Sequence, residues 1–210
     1  MSREGMRHLS NADPRFAALI RRVGPPRLGV ERGRDLYEAL IRAIAHQQLH
    51  GKAAGAILRR FVELYAEGGF PLPGQVAATP DEALRGCGFS AAKLAAIRDI
   101  CARTLDGTVP TRRSAARLSD LALIERLTAI RGVGRWTVEM LLMFTLDRPD
   151  ILPVDDFGVR EGFRRLHGLD AQPKPRDLAA IGEMWSPFRS VAAWYLWRAA
   201  DEGKAIKQPG

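Results

Sequence analysis

Nowhere along the chain do β-branched and polar residues alternate with the period of a strand, whereas Ala, Leu, Arg and Glu recur at helical spacing almost from end to end. A chain written in that period buries its apolar faces by packing helix against helix, so the predicted class is all-α. With 210 residues, 46% of them hydrophobic, it can build one substantial core or two small lobes. Glycine and proline mark where the helices stop. A Gly- and Pro-rich loop over 23–33 separates a short N-terminal helix from one over about 34–45, and the next, over about 52–66, is stopped by Gly68, Gly69, Pro71, Pro73 and Gly74. Thr79-Pro80-Asp81 opens a short helix with Pro80 at its first position, residues 86–88 close it, and Ser90 is the predicted N-cap of a helix over 91–105. Beyond Ser119, Leu123, Leu127 and Ile130 share one helical face until Arg131-Gly132-Val133-Gly134 interrupts it. A new helix starts at once, turns Val138, Leu141, Leu142 and Thr145 inward and ends near Asp147-Arg148-Pro149. Ile151-Leu152-Pro153-Val154 then leads into Asp155-Asp156, and helices near 177–182 and 186–201 finish the chain.

Charge narrows the class of partner. Lys and Arg number 32 against 24 Asp and Glu, a formal net charge of +8 spread along the chain, which favours a polyanion. The two cysteines, Cys87 and Cys101, provide neither a disulfide framework nor the four thiolates of an iron–sulfur cluster; small core residues in a reducing compartment are expected. His167 has no Cys, His or paired carboxylate at ligand spacing, so no catalytic metal is expected. No apolar run long enough for a leader or a membrane span is present, and the expected setting is cytoplasmic, with no membrane partner.

Two segments carry chemistry. In Gly132-Val133-Gly134 the glycines permit positive φ and remove Cβ atoms that would hold a ligand away, while the amides opening the next helix point outward at the positive end of its dipole. A DNA phosphate can dock there without any reading of sequence, with Arg131 and Arg135 adding charge. Taken alone such a turn is an ordinary αα-corner. Asp156 follows Pro153 at an expected helix N-terminus, where the dipole favours a negative charge; there a carboxylate either caps the helix or supports growing positive charge in a reaction.

The segment 127–142, with its hairpin followed by Arg135-Trp136-Thr137, resembles the helix-hairpin-helix of the HhH-GPD DNA glycosylase superfamily, and Leu152-Pro153-Val154-Asp155-Asp156 resembles that superfamily's loop bearing the catalytic aspartate. Ile44 to Leu49 with Lys52-Ala53-Ala54, Gly88 to Lys93, and Trp185 through Trp197 are similar to it as well, and the nearest likeness is to the 3-methyladenine DNA glycosylase II family. The resemblance implies a single helical glycosylase domain over 12–205, with the helix-hairpin-helix at about 120–147, two helical lobes flanking a cleft, and no N-terminal β domain. It implies a monomeric, nucleoid-associated enzyme of base excision repair that flips an alkylated base, of the 3-methyladenine or 7-methylguanine type, out of double-stranded DNA and hydrolyses its glycosidic bond. Asp156 matches the catalytic position and Asp155 is assigned to capping or support, although the two are interchangeable on sequence grounds. Trp136 stands where bifunctional relatives carry a Schiff-base lysine, so no lyase activity is expected. Trp136 and Trp197 are the expected base pocket, whose indole faces attract a cationic base, and Gly132, Val133, Gly134, Arg131, Arg135 and Thr137 are the expected DNA-binding residues. Gln48 or Leu49 matches the wedge that fills the gap left by a flipped base, unless Gln47 and Gln48 merely cap helix ends. His50 departs from the small hydroxyl residue usual at its position. No cofactor is implied; the hairpin carbonyls can accept a monovalent cation. Two other readings stay open: a helix-hairpin-helix DNA-binding module without activity, and a glycosylase for oxidised or deaminated bases.

Overall fold

The computed structural model describes residues 2–31, 33–65 and 68–205, and every regular element among them is helical. Thirteen α-helices follow one another: α1 (Ser2–Ala12), α2 (Pro14–Val23), α3 (Leu36–His46), α4 (Gly51–Glu63), α5 (Pro73–Ala78), α6 (Asp81–Gly86), α7 (Ala91–Leu105), α8 (Arg112–Ala115), α9 (Asp120–Thr128), α10 (Arg135–Phe144), α11 (Phe157–His167), α12 (Pro175–Gly182) and α13 (Arg189–Ala205). The described chain separates into two compact units, Glu31–Leu141 and the pair of segments Met1–Val30 and Leu142–Gly210, with the crossover inside α10. No described helix is long and apolar enough to cross a membrane.

In the unit formed by Glu31–Leu141, α3 packs on α4 and α7, and α7 also receives α5 and α6. Leu40, Ile41, Ile44, Leu58, Phe61, Leu84, Ile97 and Ile100 are buried between them, which is where their helical periodicity should put them. The predicted face of α9 is likewise buried at Leu123 and Leu127, with Ile130 just beyond. Ser90 and Ser119 accept from the amides of Lys93 and Ala122, so the polar residues that start these helices satisfy amides that would otherwise lack a partner. Cys87 and Cys101 are both buried free thiols, and burial pushes both above the ordinary thiol pKa.

In the other unit α11 lies along α13, and α1 and α2 pack on α13 as well. Two glycines set the closeness of the first pair. A Cβ on Gly162 would sit 1.8 Å from the backbone oxygen of Leu196, and one on Gly158 would sit 2.8 Å from Trp197 Cδ1. The fully buried Trp185 lies against the buried Phe163 of α11, ring centroids 6.0 Å apart, and the phenolic hydroxyl of the fully buried Tyr195 on α13 donates to Gly24 O at 2.8 Å. His167 stacks on Phe163 at 4.0 Å, and its Nε2 lies 3.3 Å from Asp13 Oδ2, a contact that becomes an ion pair only on protonation. Burial pushes this imidazole below its ordinary pKa against the opposing charge of Asp13.

Several boundaries differ from the sequence-based expectation. Two helices, α1 and α2, stand where one short N-terminal helix was expected; α1 packs on α13 through the buried Leu9 and Gly5, where a Cβ would lie 3.2 Å from Val191. The helix expected to begin after Asp156 does so as α11 and runs to His167, although Gly158 and Gly162 are poor helix formers; the packing on α13 that requires those glycines outweighs their propensity. The short helices α5 and α8 are additional, and Pro80 is the N-cap of α6, one residue ahead of the first helical position expected for it. Helix α4 ends at Glu63, and residue 66, where its end was expected, lies outside the described residues.

Candidate functional site

The hairpin is built by the end of α9, the turn 129–134 and the start of α10. Gly132 adopts φ +77°, a conformation that favours glycine, and a Cβ there would also crowd Ala96 of α7 at 3.1 Å and touch Ile44 of α3 at 3.5 Å. Gly134 is exposed, with open space where a side chain would begin. Val133 between them is buried and anchors the loop, and the first intrahelical bond of α10 runs from Val138 N to Gly134 O. The amides of 135–137 therefore precede the helical ladder, at the positive end of the α10 dipole. Arg131 and Arg135 are exposed beside this turn, with Arg135 Nε donating to Glu139 at 2.9 Å, while the Thr137 side chain is buried. Trp136, 48% exposed, projects from the first turn of α10.

Two side chains fasten the hairpin from outside it. Asp99 Oδ2 accepts from Arg131 N at 2.7 Å, and Gln47 Nε2 donates to Gly132 O at 3.0 Å. Lys93 donates from Nζ to Ala45 O at 2.8 Å, near the C-terminus of α3, and burial lowers its pKa. In the turn between α3 and α4, Gln48 holds φ +57°, a conformation uncommon for a residue with a side chain. Gln48 is exposed, Leu49 is 40% exposed, and His50 is the N-cap residue of α4 without a side-chain capping bond.

The carboxylate site lies in the other unit. Asp156 is the N-cap of α11, and its Oδ1 accepts both Val159 N at 2.9 Å and the indole N–H of Trp197 at 2.8 Å. Two converging donors, one from the helix start and one from α13, fix the rotamer of this carboxylate at the positive end of a helix dipole. The capping expected of Asp155 thus belongs to Asp156, since the helix begins at Phe157 and only the residue before it reaches the third helical amide; Asp155 is exposed in the preceding turn. Trp197 is half-buried and stacks on Phe144, ring centroids 6.0 Å apart and inclined by 29°. Gly158 lets the indole come this close, since a Cβ there would lie 3.1 Å from Asp156 Oδ1 and 3.2 Å from Trp197 Nε1.

The loop that delivers Asp156 is tied to the helix that carries Trp197. Ser190 Oγ donates to Arg148 O at 2.7 Å and accepts from Ile151 N at 3.0 Å, while Ser190 N donates to Pro149 O. Arg189 Nε and Nη2 grip the two oxygens of Asp150, each at 2.8 Å. Burial alone would raise the Asp150 carboxyl, but these bonds, the Arg189 amide and the Ser186 hydroxyl bring it below the ordinary range. The partners of this brace are 36 to 42 residues apart in sequence, beyond the reach of any local pattern. Of the predicted site residues, Asp156 and Trp197 are joined directly, and Arg131, Gly132, Val133, Gly134, Arg135, Trp136 and Thr137 form one continuous segment across the turn and the start of α10. Phe144, Gly158, Gln47 and Asp99 were not singled out as site residues from the sequence; the nearest signal was a glycine two residues beyond Asp156.

Residues 41–187 match the HhH-GPD superfamily of base excision DNA repair proteins. Over 205 residues the chain is 46% identical to DNA-3-methyladenine glycosylase 1 of Schizosaccharomyces pombe, covering 95% of this chain and 90% of that protein. The solved structure of the Schizosaccharomyces pombe 3-methyladenine DNA glycosylase in complex with abasic DNA superimposes with a TM-score of 0.82 at 45% identity, covering 93% of this chain and 95% of that one. A DNA-3-methyladenine glycosidase from Bacillus halodurans gives 0.88 at 33% identity, covering 98% and 94%.

Proposed function

The chain belongs to the HhH-GPD superfamily of base excision DNA repair proteins, and on that premise we propose that it is a monofunctional DNA glycosylase of the 3-methyladenine II type, which hydrolyses alkylated bases from double-stranded DNA and has no lyase activity. The observation that carries the reading is the Asp156 carboxylate, held by the α11 N-terminus and the Trp197 indole N–H.

As the glycosidic bond breaks, positive charge grows on the sugar ring. A carboxylate already oriented by two donors stabilises that charge without reorganising, and it can orient or deprotonate the attacking water. The Trp197 ring, stacked on Phe144, offers an electron-rich face to an extruded base, and a base alkylated on a ring nitrogen is cationic. Trp136 offers an indole where a lyase would need an amine; an indole nitrogen forms no Schiff base, so water is the nucleophile. The hairpin amides and the net charge of +8 grip the strand through its phosphates. Its carbonyls Ile130 O and Gly132 O each accept one hydrogen bond, from Val133 N and Gln47 Nε2, and each keeps a second lone pair. These oxygens suit a monovalent cation, which would add positive charge beneath the phosphate. The enzyme acts as a monomer on cytoplasmic, nucleoid-associated DNA.

Chromatography of alkylated DNA treated with the protein tests the reading. Free 3-methyladenine or 7-methylguanine should be released, the strand should stay unbroken at the abasic site, and borohydride should trap no covalent adduct. Strand cleavage with a trapped adduct would refute the monofunctional assignment, and release of oxidised or deaminated bases alone would refute the substrate class.

The hairpin gives a second expectation. Because a side chain on Gly134 meets open space, Gly134→Leu should fold normally, yet it would stand where a phosphate docks. Affinity should fall alike for all duplex sequences, and the slope of log K against log salt should become less negative by about one. Unchanged affinity would remove the hairpin from the interface.

A further inference from the structure

The turn between α3 and α4 and the hairpin before α10 lie far apart in sequence, yet one side chain joins them: Gln47 donates from Nε2 to Gly132 O at 3.0 Å across 85 residues. Both ends of the bond are special. Gln47 is the C-cap of α3, its amide bonding to Ala43 O and Ile44 O, and the next residue, Gln48, turns into the left-handed region. Gly132 holds φ +77° and is pressed against Ile44, on the same helix as the turn, and Ala96 on α7. Helix α7 braces both partners again, through Lys93 Nζ to Ala45 O on one side and Asp99 Oδ2 to Arg131 N on the other.

We propose that Gln47 is a positioning residue that makes the 47–50 turn and the phosphate-gripping hairpin act as one body on DNA. The inference rests on the glycosylase reading above. A side chain displaces a stacked base only if the loop bearing it is braced against something fixed on the same strand, and a phosphate held by the hairpin amides is such a point. Gln48 and Leu49 are exposed at the tip of the turn, and the Gln47 amide transmits the reaction force from that tip to Gly132, the pivot of the grip. An amide that only capped α3 would bond to a carbonyl of its own helix; this one donates outside it. Gln47 never touches the reacting bond. It acts through where it holds Gln48 and Leu49.

The test is Gln47→Met, which keeps the length and removes the donor, with Gln47→Lys as the variant that keeps an N–H for Gly132 O. With a duplex carrying an abasic site beside 2-aminopurine, saturating wild type should raise the fluorescence by unstacking the probe. Gln47→Met should lose most of that rise at the same saturation, Gln47→Lys should recover part of it, and both should melt at the wild-type temperature. In single turnover, Gln47→Met should slow release of a paired alkylated base by roughly tenfold, the scale of one hydrogen bond, and of a mispaired one far less, because part of the unstacking cost has already been met. Equal fluorescence in wild type and Gln47→Met, or equal slowing on paired and mispaired lesions, overturns the coupling. Absence of both unstacking and base release by wild type overturns the glycosylase reading itself.

Discussion

Asp156→Asn should abolish almost all base release while leaving the protein folded and bound to DNA. Asparagine caps a helix about as well as aspartate, so the bond from Val159 N survives, and its side-chain oxygen still accepts the Trp197 indole N–H. What disappears is the charge. The substitution removes both the electrostatic support of the sugar cation and the carboxylate that caps this helix and can take a proton from water, and single-turnover release should fall by about 10²–10⁴-fold. Asp155→Asn, altering an exposed carboxylate in the preceding turn, should cost less than about tenfold on the same scale. Single-turnover kinetics on alkylated duplex, paired with a binding isotherm, separates the two. Full activity in Asp156→Asn would show that the carboxylate is only a cap.

The second large effect is structural. Gly162→Ala places a Cβ 1.8 Å from the Leu196 backbone oxygen and 2.5 Å from its carbonyl carbon, and no rotamer relieves a clash between backbones. Helices α11 and α13 would have to part. Overpacking of this kind costs about 3 kcal/mol or more, which for a chain of this size lowers Tm by roughly 6–12 °C. Activity should fall further than stability, because α11 carries Asp156 at its start and α13 carries Trp197, and parting the helices stretches their shared bond. Gly55→Ala in α4 is the matched control. Gly55 is exposed, helical and free of neighbours within 4 Å, so alanine there should be neutral or stabilise by up to about 1 kcal/mol through its higher helix propensity. Thermal melting of the two variants side by side checks both, and equal melting temperatures would contradict the packing described for α11 and α13.

These two positions show how differently a site can be written. A carboxylate at this helix start was legible because its signals are local: a proline-containing loop, a pair of carboxylates and the start of a helix lie within a few residues, while the choice of Asp156 over Asp155 came from the resemblance alone. Gly162 was not, because nothing near it in sequence records that Leu196 will lie against it. The same division runs through the hairpin. Its two glycines and outward amides follow from the residues 131–137, whereas the hold of Gln47 and Asp99 on it depends on which helices come to lie beside it. The bond from Lys93 to Ala45 O is of the same kind, since nothing around a lysine near a helix start shows that the end of another helix will supply a carbonyl.

The amino-acid sequence by itself determined the helical class, most helix boundaries, the glycine turn and the place of the carboxylate after its loop. Periodicity, capping and turn conformation are energies of neighbouring residues, and neighbouring residues are what a sequence states. The tertiary structure alone decided which residue caps α11, which glycines must remain glycine, how Trp197 reaches Asp156 and what fastens the hairpin. Those outcomes are set by close packing and by hydrogen bonds between segments that meet only once the chain has folded.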